Sequence, residues 1–253
     1  MISVSELAAK LDKAVTDRRV ITQLSIEHPE LDLATAYLVQ RELRSAAGPL
    51  AGWKLGVTSR AKQAQVGLTE PIYGFLGAAT AVDLGEQLDT SALIHPRCEP
   101  EIVFTLGRDL DGPHVTAAEV LAASKAVAVG IEVLDSRYAD YEFTIVDAVA
   151  DNASAARYVV GAPVNPLDID LRLVGVVLAK NGSVVATASG AAALGHPAAA
   201  VAWLARQLSA MGEGLRAGEI VFSGGLTAAV PVAPGDVVTA AVDRLGSLEL
   251  GCR

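Results

Sequence analysis

The sequence has few cysteines, and no long uninterrupted apolar segment. Its 253 residues include only Cys98 and Cys252, which are far apart and outside any CxxC spacing. That spacing argues against a disulfide framework or a zinc knuckle and fits a reducing compartment. No apolar run reaches the ~18 residues of a membrane span, and residues 1–15 alternate charged with apolar residues, unlike a signal peptide. We therefore expect a cytoplasmic protein with no membrane partner.

Basic residues are also scarce. The chain has 20 Lys and Arg against 29 Asp and Glu, a formal net charge of -9. No stripe of Lys and Arg is available to neutralise a phosphate backbone, so we expect no nucleic-acid partner. The nucleotide-binding patterns GxxxxGK[ST] and GxGxxG are absent, as are GxSxG and HExxH. These absences argue against nucleotide binding, a serine hydrolase elbow and a zincin site.

Hydrophobic residues, by contrast, make up 51% of the chain, and their spacing predicts helices and strands. Ser3 and Glu6 have capping-box spacing before a helical pattern over about 4–17, and Asp32 caps a second helix that stops at Gly48-Pro49. Thr116 begins a third helix, and a fourth spans about 198–211. Short apolar runs predict strands at 101–107, 127–134, 157–160, 172–179, 183–188, 219–222 and 236–242.

These elements do not alternate regularly as βαβ units. We therefore predict an α+β fold with a mixed, curled β-sheet rather than a doubly wound one. Asn181-Gly182, between two predicted strands, is typical of a type I' hairpin. Residues 1–50 are expected to form an N-terminal helical arm and residues 51–253 a catalytic domain, together one compact unit.

The most specific local feature is the pair Glu99 and Glu101 at the start of an apolar strand. Residues two apart on a strand project from one face, roughly 6 to 7 Å apart. Two buried carboxylates repel each other, and a hard divalent cation with oxygen ligands would hold them together. A solvated pair at the mouth of a strand explains the spacing equally well.

A third carboxylate, Glu132, lies inside the apolar run AVAVGIEV. An unpaired charge there would cost several kcal/mol, so Glu132 needs a partner. A salt bridge to Arg137 or Arg97 is one solution. The other is a three-carboxylate site with Glu99 and Glu101, a ligand set suited to Mg²⁺ or Mn²⁺.

Several polar residues close to apolar segments are further candidates. Lys54 lies between apolar neighbours, and partial burial would lower its pKa and suit it to proton transfer, although a lysine that reaches solvent is the simpler interpretation. Two short polar clusters, 135–137 and 151–154, follow apolar runs and would also suit turns. Residues 223–227, SGGLT, offer backbone amides that could cradle a carboxylate, or form an ordinary tight turn.

Five segments together resemble one family over nearly the whole chain. They are GWKLGVTSRAKQAQVGLTEPIYGFL, LIHPRCEPEIVF, EVLDSRYADYEFTIVDAVADNASAARYVVG, LGHPAAAVAWLA and FSGGLTAAVPVAPGD. The resemblance is to the 2-keto-4-pentenoate hydratase and 4-oxalocrotonate decarboxylase group of the fumarylacetoacetate hydrolase superfamily. Within that group, PIYGFL and DSRYADYEF are more similar to the decarboxylases. Cys98 and Pro100 depart from residues common in the family, but neither change removes a candidate ligand.

The resemblance implies a fumarylacetoacetate hydrolase-like β-roll fold and also roles for particular residues. It implies Mg²⁺ or Mn²⁺ held by Glu99, Glu101 and Glu132, with Lys54 and Asp151 as catalytic residues. The remaining positions expected near the substrate are Ser136, Arg137, Asn152, Ser154, Gly225 and Thr227.

The implied reaction is metal-dependent decarboxylation of 2-oxo-3-hexenedioate to 2-hydroxypenta-2,4-dienoate and CO₂, in the meta-cleavage degradation of aromatic compounds. The nearest alternative is the hydratase, which adds water to the dienol. A carbon-carbon hydrolase and a non-catalytic assembly subunit are further alternatives. The expected partners are a small 2-oxo dicarboxylic acid, further copies of the chain in a homo-oligomer, and the hydratase of the same pathway.

Overall fold

The computed structural model describes residues 3–59, 63 and 69–253. Part of the first family-like segment, residues 60–62 and 64–68, therefore lies outside the described residues. Six α-helices lie within them: α1 Val4–Asp17, α2 Leu24–Glu27, α3 Leu33–Ala46, α4 Ala117–Ala123, α5 Ile145–Ala150 and α6 Pro197–Ala210.

Eleven strands lie within the same residues. They are β1 Leu50–Gly56, β2 Ile72–Gly77, β3 Arg97–Leu106, β4 Ser124–Leu134, β5 Ala155–Val160, β6 Gly175–Lys180, β7 Ser183–Ser189, β8 Ile220–Phe222, β9 Val230–Pro231, β10 Val237–Val242 and β11 Gly246–Gly251.

The strands form two sheets. The larger has the order β2-β1-β8-β3-β4-β5, with β9 added beside β3, and it is mixed because β1 and β8 run parallel. The smaller sheet, β11-β10-β6-β7, is antiparallel throughout. The predicted α+β fold with a mixed sheet is confirmed. The sequence did not predict that the strands divide into two sheets, since the periodicity of a strand does not specify which other strands it pairs with.

The helix predictions hold to within two residues because the capping side chains act as expected. Ser3 Oγ accepts a hydrogen bond from the Glu6 N–H at 3.3 Å, and Asp32 Oδ1 accepts one from Thr35 at 2.8 Å. Side-chain caps of this kind satisfy N–H groups that have no partner inside the helix. No helix among the described residues is long and apolar enough to cross a membrane.

The seven predicted strands are all present, and β1, β2, β9 and β11 add to them. The turn between β6 and β7 has positive φ at both central residues, 53° at Asn181 and 77° at Gly182, as the hairpin prediction required. Beginning at Arg97, β3 is longer than predicted, so Glu99 and Glu101 lie inside it and not at its entry.

Pro100 therefore sits in the middle of a strand, where a missing N–H would normally break the ladder. On that side of β3, β8 pairs with Val103 to Thr105 and β9 with Arg97 and Cys98. Pro100 faces the gap between them, and its carbonyl accepts a hydrogen bond from the Leu226 N–H at 3.0 Å. No neighbouring strand needs a hydrogen bond from the backbone nitrogen of this residue, which explains why proline is tolerated at position 100.

Two hydrophobic clusters pack around the elements that carry the site. The main cluster joins both sheets and α6, for example Ile102, Val129, Leu178 and Leu204. A second cluster joins α1, α2 and α3 to α5. Since α5 ends directly before Asp151, the N-terminal helices support the chain that carries residues 151–154. The division into a helical arm, residues 1–50, and a catalytic domain, residues 51–253, stays a prediction.

Candidate active site

The pairing of β3 with β4 brings the three glutamates together. Glu99 lies directly opposite Glu132 in the antiparallel register, and Glu101 is two residues further along β3. Opposed residues and residues two apart share one face of a sheet, so all three side chains project the same way. One carboxylate oxygen from each lies within 4.8 Å of the others. The antiparallel register thus joins residues that are more than 30 positions apart.

Burial makes this cluster electrostatically costly. Glu99 is 4% exposed, and Glu101 and Glu132 are fully buried. Burial, followed by the charges of Glu132 and Glu99, raises the pKa of Glu101 well above its usual range. Burial also raises the pKa of Glu132, although the nearby Lys54 opposes that rise. The site therefore disfavours three ionised carboxylates unless positive charge is present.

Lys54 supplies part of that charge. Its ammonium lies 3.1 Å from Glu132 Oε1 and donates a hydrogen bond to the Ala153 carbonyl at 3.0 Å. The sequence predicted a lowered pKa for this lysine, and that prediction is wrong. Burial does act in that direction, but the charges of Glu132, Glu99 and Glu101 outweigh it and raise the pKa of Lys54. Among these carboxylates, and with no ion bound, Lys54 favours its protonated form, which can hold or donate a proton.

The negative charge that remains in the site fits a divalent cation. Three carboxylates and one ammonium leave a formal charge of about -2 in a buried space, which favours a compensating ion. Glu101 Oε1 and Glu132 Oε2 accept no hydrogen bond from any residue in the described part of the chain. Burying a carboxylate oxygen without a hydrogen-bond partner costs free energy. A hard cation that prefers oxygen ligands would satisfy both oxygens. The donor set therefore fits Mg²⁺ or Mn²⁺, and the alternative of a solvated pair is inconsistent with the burial.

The turn after β8 closes around the same carboxylates. The Gly224 N–H donates to Glu101 Oε2 at 2.6 Å. A side chain at Gly225 would overlap the carboxylate of Glu99. Gly225 was expected near the substrate, and the structure places it against a candidate metal ligand. Its lack of a side chain leaves room for Glu99.

We expect Gly225→Ala to displace the Glu99 carboxylate and to weaken Mg²⁺ binding about 10- to 100-fold, the usual effect of disturbing groups around a metal ligand. Isothermal titration calorimetry with Mg²⁺ measures this directly. Gly175→Ala is the matched control because a methyl group there meets nothing within 4 Å. Equal affinity in the two variants would show that Gly225 does not shape the site.

A cavity of about 620 Å³ opens beside the cluster. Lys54, Glu99 and Ser154 contribute polar groups to its wall, together with Thr144 and Tyr141. The rest of the described wall is largely apolar and includes Val57, Ile72, Phe143, Ile145 and Ala148. The cavity thus combines the charged groups of Lys54 and Glu99 with a largely apolar wall, and its volume suits a small acid.

Asp151 and Arg137 form a buried ion pair behind this wall. Arg137 Nε donates to Asp151 Oδ1, and the Arg137 backbone N–H donates to Oδ2 at 3.2 Å. Burial raises the pKa of Asp151 to about 6 even though Arg137 opposes the rise. A carboxyl group with a pKa near 6 is suited to proton transfer near neutral pH. The catalytic role of Asp151 stays a prediction, and so does substrate binding by Arg137.

The side-chain amide of Asn152 makes hydrogen bonds to the protein backbone. Its Oδ1 accepts from the Phe75 N–H at 2.8 Å, and its Nδ2 donates to the Phe75 carbonyl at 3.0 Å, as another strand beside β2 would. Asn152, Ala153 and Ser154 all have positive φ, 50° to 60°, which is strained for residues other than glycine. The amide therefore anchors a strained turn whose Ala153 carbonyl accepts from Lys54.

We expect Asn152→Ala to lower the free energy of unfolding by roughly 2–4 kcal/mol, because it leaves the N–H and carbonyl of Phe75 buried without partners. Urea denaturation measures the change. Gln87→Ala removes an amide from an exposed side chain and serves as the control. An Asn152→Ala protein as stable as the parent would mean that water or a shifted backbone replaces both hydrogen bonds.

The other predicted positions differ in what they contact. Ser154 lines the cavity. Ser136 Oγ accepts from the Tyr138 N–H at 3.1 Å, and Thr227 Oγ1 donates to the Ala228 carbonyl at 3.0 Å. Arg137 and Asn152 line a separate cavity of about 270 Å³ between α1, α3 and β2. Their roles in substrate binding stay predictions.

The sequence analysis missed several residues of the site. Thr58 packs against Gly224, and its buried hydroxyl has no hydrogen-bond partner among the described residues. Tyr141, Phe143 and Thr144 line the cavity. A threonine after a strand and a short aromatic segment have no distinctive spacing, so only the path of the chain reveals them.

The fold and the site together define a class: a protein with a mixed β-sheet and a buried three-carboxylate site for a divalent cation. The family model "Fumarylacetoacetate (FAA) hydrolase C-terminal" matches residues 50–251. The chain belongs to this family, and the resemblance found in the sequence is confirmed.

Comparison with individual relatives shows which members of this family the chain is similar to. The chain is 44% identical over 250 residues to a 4-oxalocrotonate decarboxylase of Pseudomonas sp. (strain CF600), covering 97% of this chain and 95% of the relative. It is 41% identical over 248 residues to a 2-keto-4-pentenoate hydratase of Paraburkholderia xenovorans (strain LB400), covering 96% and 92%. The solved structure of 4-oxalocrotonate decarboxylase from Pseudomonas putida G7, complexed with magnesium and adipate, matches with a TM-score of 0.96 and 41% identity over 100% of this chain and 99% of that one.

Proposed function

We propose that this protein is a carbon-carbon lyase that decarboxylates 2-oxo-3-hexenedioate, also called 4-oxalocrotonate, to 2-hydroxypenta-2,4-dienoate and CO₂. The observation that carries the proposal is the buried cluster of Glu99, Glu101, Glu132 and Lys54, of which Glu99 and Lys54 line a cavity that fits a small acid. The 44% identity to a 4-oxalocrotonate decarboxylase over nearly the whole chain supports this substrate.

We propose that Glu99, Glu101 and Glu132 hold Mg²⁺, or Mn²⁺ in its place. The solved relative complexed with magnesium supports this choice. A bound ion of this kind supplies Lewis-acid stabilisation for the negative charge that develops on the 2-oxo oxygen when CO₂ leaves.

The protein residues supply binding, orientation and proton control. The Lys54 ammonium adjoins both the carboxylates and the cavity, where it would attract an anionic substrate and hold a proton. Ser154 and Thr144 offer hydroxyl groups along the wall. Phe143, Ile145 and Ala148 add apolar surface to the wall, an environment that disfavours a carboxylate and favours uncharged CO₂.

The hydratase is the second candidate, because the chain is also 41% identical to a 2-keto-4-pentenoate hydratase. One experiment separates the two reactions. The purified protein is incubated with 2-oxo-3-hexenedioate, or with 2-hydroxypenta-2,4-dienoate, in the presence of Mg²⁺ or of EDTA. We expect CO₂ release from the first substrate, abolished by EDTA. Formation of 4-hydroxy-2-oxopentanoate from the second, with no CO₂ from the first, would establish the hydratase instead.

The association with a pathway hydratase and the cytoplasmic location remain predictions from the sequence.

A further inference from the structure

Much of the described cavity wall comes from one stretch of chain, residues 135–148, which we call the wall segment. It supplies Tyr141, Phe143, Thr144, Ile145 and Ala148. Between the end of β4 and the start of α5 this segment forms no strand, and its one regular element is a 3₁₀ turn over Ala139–Tyr141. The wall is therefore largely a loop, and contacts with other parts of the protein must fix its shape.

The backbone of the wall segment is strained. Asp140 and Tyr141 have φ values of 55° and 60°, a region that residues other than glycine seldom occupy. Such a conformation persists only where the surrounding structure holds it in place. Part of that support comes from the larger sheet, because the Tyr141 hydroxyl donates to the Leu134 carbonyl at 3.0 Å and the Arg97 guanidinium lies 3.9 Å from the centre of the Tyr141 ring.

Further support comes from the N-terminal helical region. Residues 19–25, which we call the arm segment, lead from the end of α1 into α2 and bond along the wall segment. The Ile21 N–H donates to the Arg137 carbonyl at 2.8 Å, and the side-chain amide of Gln23 donates to the Glu142 carbonyl at 2.6 Å. Apolar side chains from both segments also pack in the second hydrophobic cluster. The arm segment thus contacts the wall segment at several points.

The carboxylate of Asp147 joins the two segments most directly. It is fully buried and accepts four hydrogen bonds. Ser25 provides two of them, from its N–H at 2.8 Å and its hydroxyl at 2.6 Å. Thr144 provides the other two, from its N–H at 3.0 Å and its hydroxyl at 2.6 Å. Since Thr144 lines the cavity, one buried carboxylate connects the cavity wall to the arm segment.

The candidate metal ligands are supported in a different way. Glu99 and Glu101 lie on β3 and Glu132 on β4, and these strands pair with each other and with β8 and β5 in the larger sheet. Their positions follow from strand pairing, whereas the position of the wall depends on the arm segment. A change at the contact between arm and wall should therefore move the wall and leave the metal ligands in place.

We propose that the arm segment braces the cavity wall, and that Ser25 and Asp147 are positioning residues for the substrate. Neither residue lines the described wall, so both act through Thr144 and its neighbours. The inference rests on the proposed function, in which the 2-oxo acid group of the substrate binds at the metal site. The chain beyond that group then lies against the wall segment. Loosening the contact should weaken the binding of long acids and leave the binding of short ones unchanged.

The test compares a long and a short acid in the Mg²⁺-loaded protein. Adipate has a six-carbon chain like the substrate, whereas pyruvate ends at the carbon after its oxo group. Asp147→Asn puts an amide N–H₂ group among the donors that now meet a carboxylate. We expect its dissociation constant for adipate, measured by calorimetry, to rise about 10-fold, since small displacements far from the chemistry have effects of this size. The constant for pyruvate should equal that of the parent. The KM for 2-oxo-3-hexenedioate should rise in parallel with the adipate constant, with a smaller change in kcat.

Variants of Ser25 provide a second, milder test. Ser25→Ala removes one of the four hydrogen bonds and should weaken adipate binding about 5-fold. Ser25→Thr keeps a hydroxyl group and should bind adipate as the parent does. Ser45→Ala is the matched control, because the Ser45 hydroxyl donates to the Arg41 carbonyl at 3.0 Å elsewhere in the helical region. Circular dichroism shows whether Asp147→Asn folds, and if it does not, Ser25→Ala decides.

A role in stability alone would lower the unfolding temperature of these variants without changing the ratio of the two affinities. That result would overturn the proposal, as would equal weakening of both acids or a parent that binds neither. Absence of CO₂ release by the parent would refute the proposed function instead, because the binding measurements do not depend on turnover.

Discussion

Replacing Glu101 by Gln should abolish most activity and, in metal-free protein, raise stability. Glutamine keeps an oxygen for the Gly224 N–H but lacks the charge that would hold the ion. We expect kcat/KM for 2-oxo-3-hexenedioate to fall on the order of 10³-fold, since Lewis-acid stabilisation contributes several kcal/mol. Mg²⁺ affinity, measured by calorimetry, should fall in parallel.

Activity should fall, but the stability of the metal-free protein should rise, because the pKa of Glu101 is raised in the folded protein. A carboxyl group whose pKa is higher in the folded than in the unfolded protein favours folding at low pH. That contribution is lost as pH rises from the unfolded value through the folded one. Neutral pH lies above the unfolded pKa, so the carboxyl group of Glu101 destabilises the metal-free fold there, and Gln removes this cost.

The measurement is thermal unfolding of parent and variant in EDTA and again in Mg²⁺. In EDTA the variant should unfold at the higher temperature, and Mg²⁺ should stabilise the parent more than the variant. Glu249→Gln, an exposed glutamate on β11, controls for the loss of a carboxylate. A folded Glu101→Gln protein with full turnover would refute the catalytic metal site.

The second large effect is expected for Lys54→Met, which removes the ammonium while keeping most of the side-chain volume. Glu132 then loses its ion-pair partner in a buried site, and breaking a buried pair costs about 3–5 kcal/mol. We expect that loss in urea denaturation of the metal-free protein. Turnover should fall about 10²- to 10⁴-fold if the ammonium controls a proton in the reaction.

Mg²⁺ binding distinguishes this variant from Glu101→Gln. All three carboxylates remain in Lys54→Met, with no neighbouring cation to oppose a metal ion, so its Mg²⁺ affinity should equal or exceed that of the parent. Lys125→Met is the matched control, because Lys125 is exposed at the start of β4, the strand that carries Glu132. A Lys54→Met protein that turns over normally would show that the lysine only balances charge.

The candidate site was predictable where chemistry and local spacing coincide. Two carboxylates two apart on a strand must share a face, and a carboxylate within an apolar run must find a partner. For the remaining site positions, the family resemblance supplied what spacing could not. The pKa of Lys54 was not predictable, because its direction depends on how many carboxylates surround the ammonium as well as on its burial.

The position of Asn152 illustrates the same limit. A polar residue after an apolar run is typical of a turn, and the sequence indicates that much. Which backbone groups its amide would satisfy depends on β2, some 77 positions away in the chain. Glycine-rich strands such as β1 and β2 were also harder to delimit, since glycine weakens the strand signal.

By itself, the sequence determined α1, α3, α4 and α6, the Asn181-Gly182 hairpin and seven apolar strands, because these depend on interactions between residues close in the chain, whereas it did not predict α2 and α5. Composition also argued against a phosphate-backbone partner, which stays a prediction. Only the tertiary structure decided the register that places Glu99 opposite Glu132 and the closure of the Gly224-Gly225 turn on both β3 glutamates. Those features depend on contacts between distant segments, whose geometry is set by the packing of the whole chain.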